Sequence, residues 1–163
     1  MRVRGFVVKY GDNIDTDVII PGKYLGITDP KELGRHAMEG LDPEFPSKIK
    51  RTGVLVAGVN FGCGSSREEA PLALKYSGVK CIIAKSFARI FFRNAINVGL
   101  PIVVCPEAVE KVEEGDELTI DLAEGTIVNE SKGETYRVVP LPKFILDILR
   151  DGGLIPHLRR KGL

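Results

Sequence analysis

Apolar positions along this chain follow two rhythms. Val54-Leu55-Val56-Ala57, Cys81-Ile82-Ile83-Ala84 and Pro101-Ile102-Val103-Val104 are short unbroken runs, the pattern of strands buried on both faces. Between them the spacing turns helical. One helix is expected from about Arg67, with Leu72, Leu74 and Tyr76 supplying apolar contacts and Gly78 ending it. Ser65 or Ser66 would cap it, with Glu68 or Glu69 closing a capping box. Pro71 then falls about a turn inside, so the first turn is irregular or the straight helix starts later. A second helix runs from Phe87 to about Asn97, capped by Ser86, with Phe87, Ile90, Phe91 and Ala95 on its core face. Strand, helix and strand repeating at this interval imply right-handed crossovers and a parallel sheet.

The flanks differ. Gly5 to Tyr10 reads as a first strand, closed by the turn-forming Gly11-Asp12-Asn13. Towards the end, Glu117 to Leu122, Thr126 to Val128 and Thr135 to Val139 alternate apolar with polar, as half-exposed strands do. Pro142 to Arg150 is a closing amphipathic helix, with Phe144, Ile145, Ile148 and Leu149 inward and Gly152-Gly153 as its stop. The expected class is α/β: a mainly parallel sheet, a second β-rich layer and helices, in one domain over residues 1–163. Residues 22–53 break the pattern, with Pro30, Pro43 and Pro46 among alternating charges and isolated apolar residues. Asp29-Pro30-Lys31-Glu32 fits a helix start and Gly40 a stop, and the flanks look loosely packed. Such a stretch is expected to be either a mobile recognition loop or a surface insertion.

Composition removes several classes of function. With 44% hydrophobic and 28% charged residues and a net charge of +1, the 163-residue chain has an ordinary globular make-up. Its scattered cations recommend no nucleic-acid partner. No apolar run approaches a membrane span, and Met1 to Lys9 is too short and charged for a signal peptide, so a cytoplasmic location is expected. Cys63, Cys81 and Cys105 stand apart without a Cys-x-x-Cys pair, which argues against a zinc or iron–sulfur site made by this chain alone.

Candidate chemistry gathers at Asn60-Phe61-Gly62-Cys63-Gly64-Ser65-Ser66-Arg67-Glu68-Glu69, a glycine turn at the carboxyl end of an expected strand. Hydroxyls, backbone amides and a guanidinium suit a carboxylate or phosphate, although a capped helix after a tight turn explains the same residues. Arginine replaces the third glycine of a dinucleotide fingerprint, and the lysine of a P-loop is missing. His36 and His157 have no triad company and read as surface or packing residues. A serine beside an arginine, with no base, abstracts a proton only if surrounding N–H donors and positive charge stabilise its alkoxide. Asp15-Thr16-Asp17 forms an Asx-type turn or orients another site residue.

Four separated motifs stand in order along the chain: Asp12 to Pro21, Asn60 to Glu68, Lys85 to Asn94 and Gly152-Gly153-Leu154-Ile155. Together they resemble the small subunits of isopropylmalate dehydratases in the aconitase superfamily. The resemblance implies a swivelling β/β/α domain, and a partner large subunit carrying a [4Fe–4S] cluster. It also implies a small hydroxy-dicarboxylate substrate, isomerised by dehydration and rehydration. It assigns Ser65 as the base, Arg67 as a carboxylate anchor and Ser66 as a hydrogen-bonding helper, with Thr16 and Asp17 in support. In related enzymes an arginine after Tyr-Leu looks like the mark of homoaconitases. Here Tyr24-Leu25 is followed by Gly26 and Ile27, which suits an isopropyl group better than a further carboxylate. Arg35 leaves a dual specificity open, and a stand-alone carboxylate-binding module remains the non-catalytic alternative.

Overall fold

A computed structural model describes all residues from Met1 to Leu163. Seven strands form one sheet in the order β4-β3-β2-β1-β5-β6-β7. Its parallel half consists of β1 (Arg2–Lys9), β2 (Gly53–Ala57), β3 (Cys81–Ala84) and β4 (Ile102–Val104). Three crossovers step in one direction, so a constant right hand puts their helices on one face. These are α3 (Phe45–Thr52), α4 (Glu69–Ser77) and α5 (Arg89–Asn97), with α4 packed against both of the others. Every residue of β2 and β3 is buried, which is why neither strand alternates in sequence.

The antiparallel half, β5 (Glu117–Asp121), β6 (Thr126–Asn129) and β7 (Glu134–Arg137), continues the same ladder from β1. Alternating burial in β5 and β6 matches their alternating sequences. The sheet curls: residues 102–104 of one edge and 138–142 beyond the other line a single groove. The β-rich layer is therefore the far half of a curled sheet, joined to the parallel half by hydrogen bonds. One core cluster of 42 buried residues runs through both halves.

Residues 22–53 are not loosely packed. They contain a short 3-10 turn (Gly22–Tyr24), α2 (Pro30–Gly34) and α3, and bury Leu33, Ala37, Met38, Phe45 and Ile49. Asp29 caps α2 as expected, accepting from the Lys31 amide, but the helix ends at Gly34, well before Gly40. Gly34 allows close packing on α4, since a Cβ there would lie 2.7 Å from the Tyr76 carbonyl carbon. Residues 22–29 and 40–44 keep the exposed character expected of a loop.

Other local expectations shift for identifiable reasons. No serine caps α4, which starts at Glu69 with Glu68 at its N-cap. Pro71 is then its third residue, where a missing N–H forfeits no helical bond. Ser86 does not cap α5; its hydroxyl accepts from the Asn60 amide at 2.7 Å. Ile90, Phe144 and Tyr76, all read as apolar contacts, are exposed, and β7 stops before the exposed Val139. Four helices have no counterpart among the expected elements: α1 (Thr16–Ile19), α3, α6 (Pro106–Lys111) and α8 (Leu154–Arg160). All are short; α3 and α6 begin beside a proline, and in α8 only His157 is buried.

Candidate functional site

The loops leaving the carboxyl ends of β1, β2 and β3 are laced together by main-chain bonds. Asn13 N–H donates to the Val59 carbonyl at 2.9 Å, Gly62 N–H to Ile14 at 2.8 Å and Thr16 N–H to Cys63 at 2.8 Å. On the other side, Phe61 N–H donates to Ser86 at 3.0 Å and Ala88 N–H donates back to Phe61 at 2.9 Å. Asp12 joins them by accepting from the Val59 amide at 2.8 Å, and a Cβ at Gly58 would displace that carboxylate. Buried Phe61 anchors the assembly, edge-on to Phe91 at 5.2 Å and to Phe87 at 6.0 Å.

This lacing borders an open cavity of about 240 Å³ lined by Thr16, Ser65, Ser66 and Arg67. Gly62 and Gly64 take φ values of +81° and +93°, so the turn reverses twice within three residues and presents both serines to solvent. From Gly64 to Glu69 no backbone N–H has an acceptor within the chain. Those amides give the turn a positive lining suited to an anion. Thr16, buried, donates from Oγ1 to the Ser65 carbonyl at 2.9 Å and so fixes the turn from the neighbouring loop. Asp15 caps the short helix α1 (Thr16–Ile19), accepting from the Val18 amide at 2.8 Å. Thus Asp15 forms the turn, whereas Thr16 bonds the Ser65 carbonyl and Asp17 bonds Arg67.

Arg67 is half-buried and directed by two acceptors: Nη1 donates to Asp17 Oδ1 at 3.3 Å and to the Ile20 carbonyl at 3.1 Å. The Asp17 carboxylate is mostly exposed, so this ion pair steers the guanidinium more than it stabilises the fold. A Cβ added to Gly22 would stand 3.9 Å from both Arg67 Nη2 and Asp17 Oδ1, so residues 22–29 begin at the site's edge. Gly26 and Ile27 do not line the cavity. Gly26 faces open space, and Ile27 packs partly buried against the core. Arg35 does not reach the site either; it pairs with Glu32 at 2.9 Å and borders a separate concavity with Lys31 and Lys50.

Four residues of α5, none of them among the expected site residues, also line the cavity: Arg89, Ile90, Phe91 and Asn94. Helical spacing alone puts Ile90 and Phe91 on the core face and Arg89 on another, either solvated or aimed at a partner or ligand. Neither histidine enters. His36 stacks on Tyr24 at 3.8 Å, and His157 Nδ1 lies 2.7 Å from Asp151 Oδ2. No three His, Cys, Asp or Glu side chains gather to hold a metal, and Cys81 and Cys105 are buried singly, so this chain's residues do not fit an iron–sulfur cluster. No helix is long and apolar enough to cross a membrane.

Comparison with known proteins agrees with this geometry. Residues 4–107 match the Aconitase C-terminal domain. The chain is 58% identical over 159 residues to the 3-isopropylmalate dehydratase small subunit of Caldanaerobacter subterraneus subsp. tengcongensis, covering 98% of this chain and 99% of the relative. It is 54% identical over 159 residues to a Methanocaldococcus jannaschii protein named isopropylmalate/citramalate isomerase small subunit, covering 98% and 95%. The crystal structure of a 3-isopropylmalate dehydratase from M. jannaschii superposes with a TM-score of 0.92 at 48% identity, over 99% of this chain and 96% of that one. Matched end to end in sequence and in fold, the chain belongs to the 3-isopropylmalate dehydratase small-subunit family of the aconitase superfamily.

Proposed function

We propose that this chain acts as the substrate-recognising half of a 3-isopropylmalate dehydratase, with Ser65 as the proton-abstracting base and Arg67 as a carboxylate anchor. The observation that carries the assignment is Ser65 at the mouth of the cavity, on a turn whose amides have no internal acceptors and beside the guanidinium of Arg67. Amides and guanidinium stabilise an alkoxide where no histidine or carboxylate takes the proton. Ser65 Oγ would take the proton from the substrate carbon, hold it through the alkene stage and return it to the neighbouring carbon. Ser66 would hydrogen-bond the same carboxylate as Arg67, while Asp17 and Thr16 keep Arg67 and the Ser65 turn in register. A partner large subunit would bring a [4Fe–4S] cluster, whose Lewis acidity serves departure of the hydroxyl.

Gly26 and Ile27 belong to the substrate-recognition segment in this reading, as the apolar part of residues 22–29 that completes the pocket once the large subunit is bound. A second reading, broader use of 2-alkylmalates, is favoured by the name of the M. jannaschii relative. A homoaconitate role is disfavoured by the position of Arg35, held by Glu32 outside the cavity.

The test is reconstitution with a family large subunit. Ser65→Ala is expected to reduce isomerisation of 2-isopropylmalate at least about 1,000-fold, on the scale of losing a central proton-transfer group, and to leave subunit association unchanged. Activity within tenfold of wild type would refute the serine's role.

A further inference from the structure

Arg89 is the first residue of α5 and lines the same cavity as Ser65 and Arg67. It is exposed and makes no ion pair or side-chain hydrogen bond within the chain, and α5 has no acidic residue in its first turn. A cation at a helix start is electrostatically disfavoured, because the N-terminal end of the dipole is itself positive. Arg67 differs: it already gives hydrogen bonds to Asp17 and to the Ile20 carbonyl. The cavity therefore holds one braced guanidinium and one unbraced one, on elements that follow β2 and β3.

We infer that Arg89 is a second carboxylate anchor, which with Arg67 holds a dicarboxylate at two points so that the carbon between them faces Ser65. This rests on the proposed reading of the cavity and adds a residue to it. A malate-type substrate carries two carboxylates, and a single guanidinium leaves it free to pivot about the bound one. Two guanidinium groups on separate loops remove that freedom and orient the C–H bond towards the base. Lacing through Phe61 and Ala88 keeps the two loops at a constant separation, with main-chain bonds of 3.0 Å and 2.9 Å. Exposed Arg93, one turn further along α5, does not line the cavity and provides the control.

Arg89→Ala, Arg89→Lys and Arg93→Ala are compared in the complex reconstituted with a large subunit, using 2-isopropylmalate. A charge-assisted pair of this kind predicts an increase in KM of about 10- to 100-fold for Arg89→Ala. Arg89→Lys should recover part of the loss, millimolar guanidinium ion should partly rescue Arg89→Ala, and Arg93→Ala should behave as wild type. An unchanged KM in Arg89→Ala overturns the inference. So does a defect that vanishes with excess large subunit, since Arg89 would then be an assembly contact. Ser65→Ala, measured in parallel, separates the two claims: if it stays active the reading of the cavity fails, whereas if only Arg89→Ala is unaffected the second anchor alone fails.

Discussion

The glycine turn is the part of the site most exposed to a simple steric test, because its two glycines, Gly62 and Gly64, differ in environment from each other and from Gly26 of the neighbouring loop. Gly26 faces no atom within 4 Å and does not take a positive φ. An alanine there is expected to change stability by less than about 1 kcal/mol. Gly64 has φ of +93°, but the nearest atom to an added Cβ is Thr16 Oγ1 at 3.4 Å. Gly64→Ala therefore carries backbone strain alone, about 1–2 kcal/mol. Gly62 combines φ of +81° with a Cβ that would enter the Phe91 ring, 2.6 Å from Cδ2. Phe91 is buried and packed edge-on to Phe61, so it has no open side to retreat to. Overpacking adds about 1–3 kcal/mol to the strain, for a total of about 2–5 kcal/mol. At about 2–4 °C per kcal/mol for a chain of this size, Gly62→Ala should melt roughly 4–20 °C below wild type. Calorimetry or urea unfolding of the three variants should rank them Gly62 worst, then Gly64, then Gly26. A Gly62→Ala protein no less stable than Gly64→Ala would refute the packing argument. Activity of the complex should fall in the same order, since movement of Gly62 carries Ser65 with it.

Two further outcomes follow from groups outside the cavity. The Arg160 guanidinium, and after it His157, hold the Asp151 carboxyl below the ordinary carboxylate range. A depressed native pKa gives stability that is complete above the unfolded value of about 4 and is lost as pH falls through the native one. Asp151→Asn should therefore be destabilised at pH 7 and converge on wild type under acid, as thermal melts from pH 7 to pH 2.5 would show; a constant offset would refute the ion pair. Burial pushes the Cys81 thiol up to about 12 and raises that of Cys105, whereas Cys63 lies half-buried in the glycine turn. Iodoacetamide should add one carbamidomethyl group to the native chain, at Cys63, and mass spectrometry finding a second adduct would contradict the burial.

Much of the site was legible because its parts are local. The glycines, serines and arginine of 62–67 are contiguous, and the unbroken runs beside them marked a turn at a strand's carboxyl end. The capping assignments failed for a different reason. A serine ahead of a helix reads the same whether its hydroxyl meets its own helix or, as Ser86 does, the amide of Asn60 across 26 residues of sequence. Ile90 misled similarly: helical spacing gave it a face in common with Phe91, but the cavity lies on its side of α5 and leaves it exposed. In residues 22–53 the apolar residues are sparse, yet Leu33, Met38, Phe45 and Ile49 are each almost wholly buried. Proline and charge frequency describe the exposed side of that segment and carry no information about where its few apolar side chains go.

By itself the sequence determined the α/β class, the buried parallel strands, the alternating strands that follow and the chemical character of the glycine turn. Each depends on residues within one period of a helix or strand, where steric and hydrophobic preferences act locally. The tertiary structure alone decided that one curled sheet joins both halves, that Thr16 holds the Ser65 carbonyl, and that α5 closes the cavity with Arg89 while Gly26 and Ile27 stand outside it. Those facts depend on strand order and on main-chain bonds between loops distant in sequence. No local periodicity encodes which loops meet.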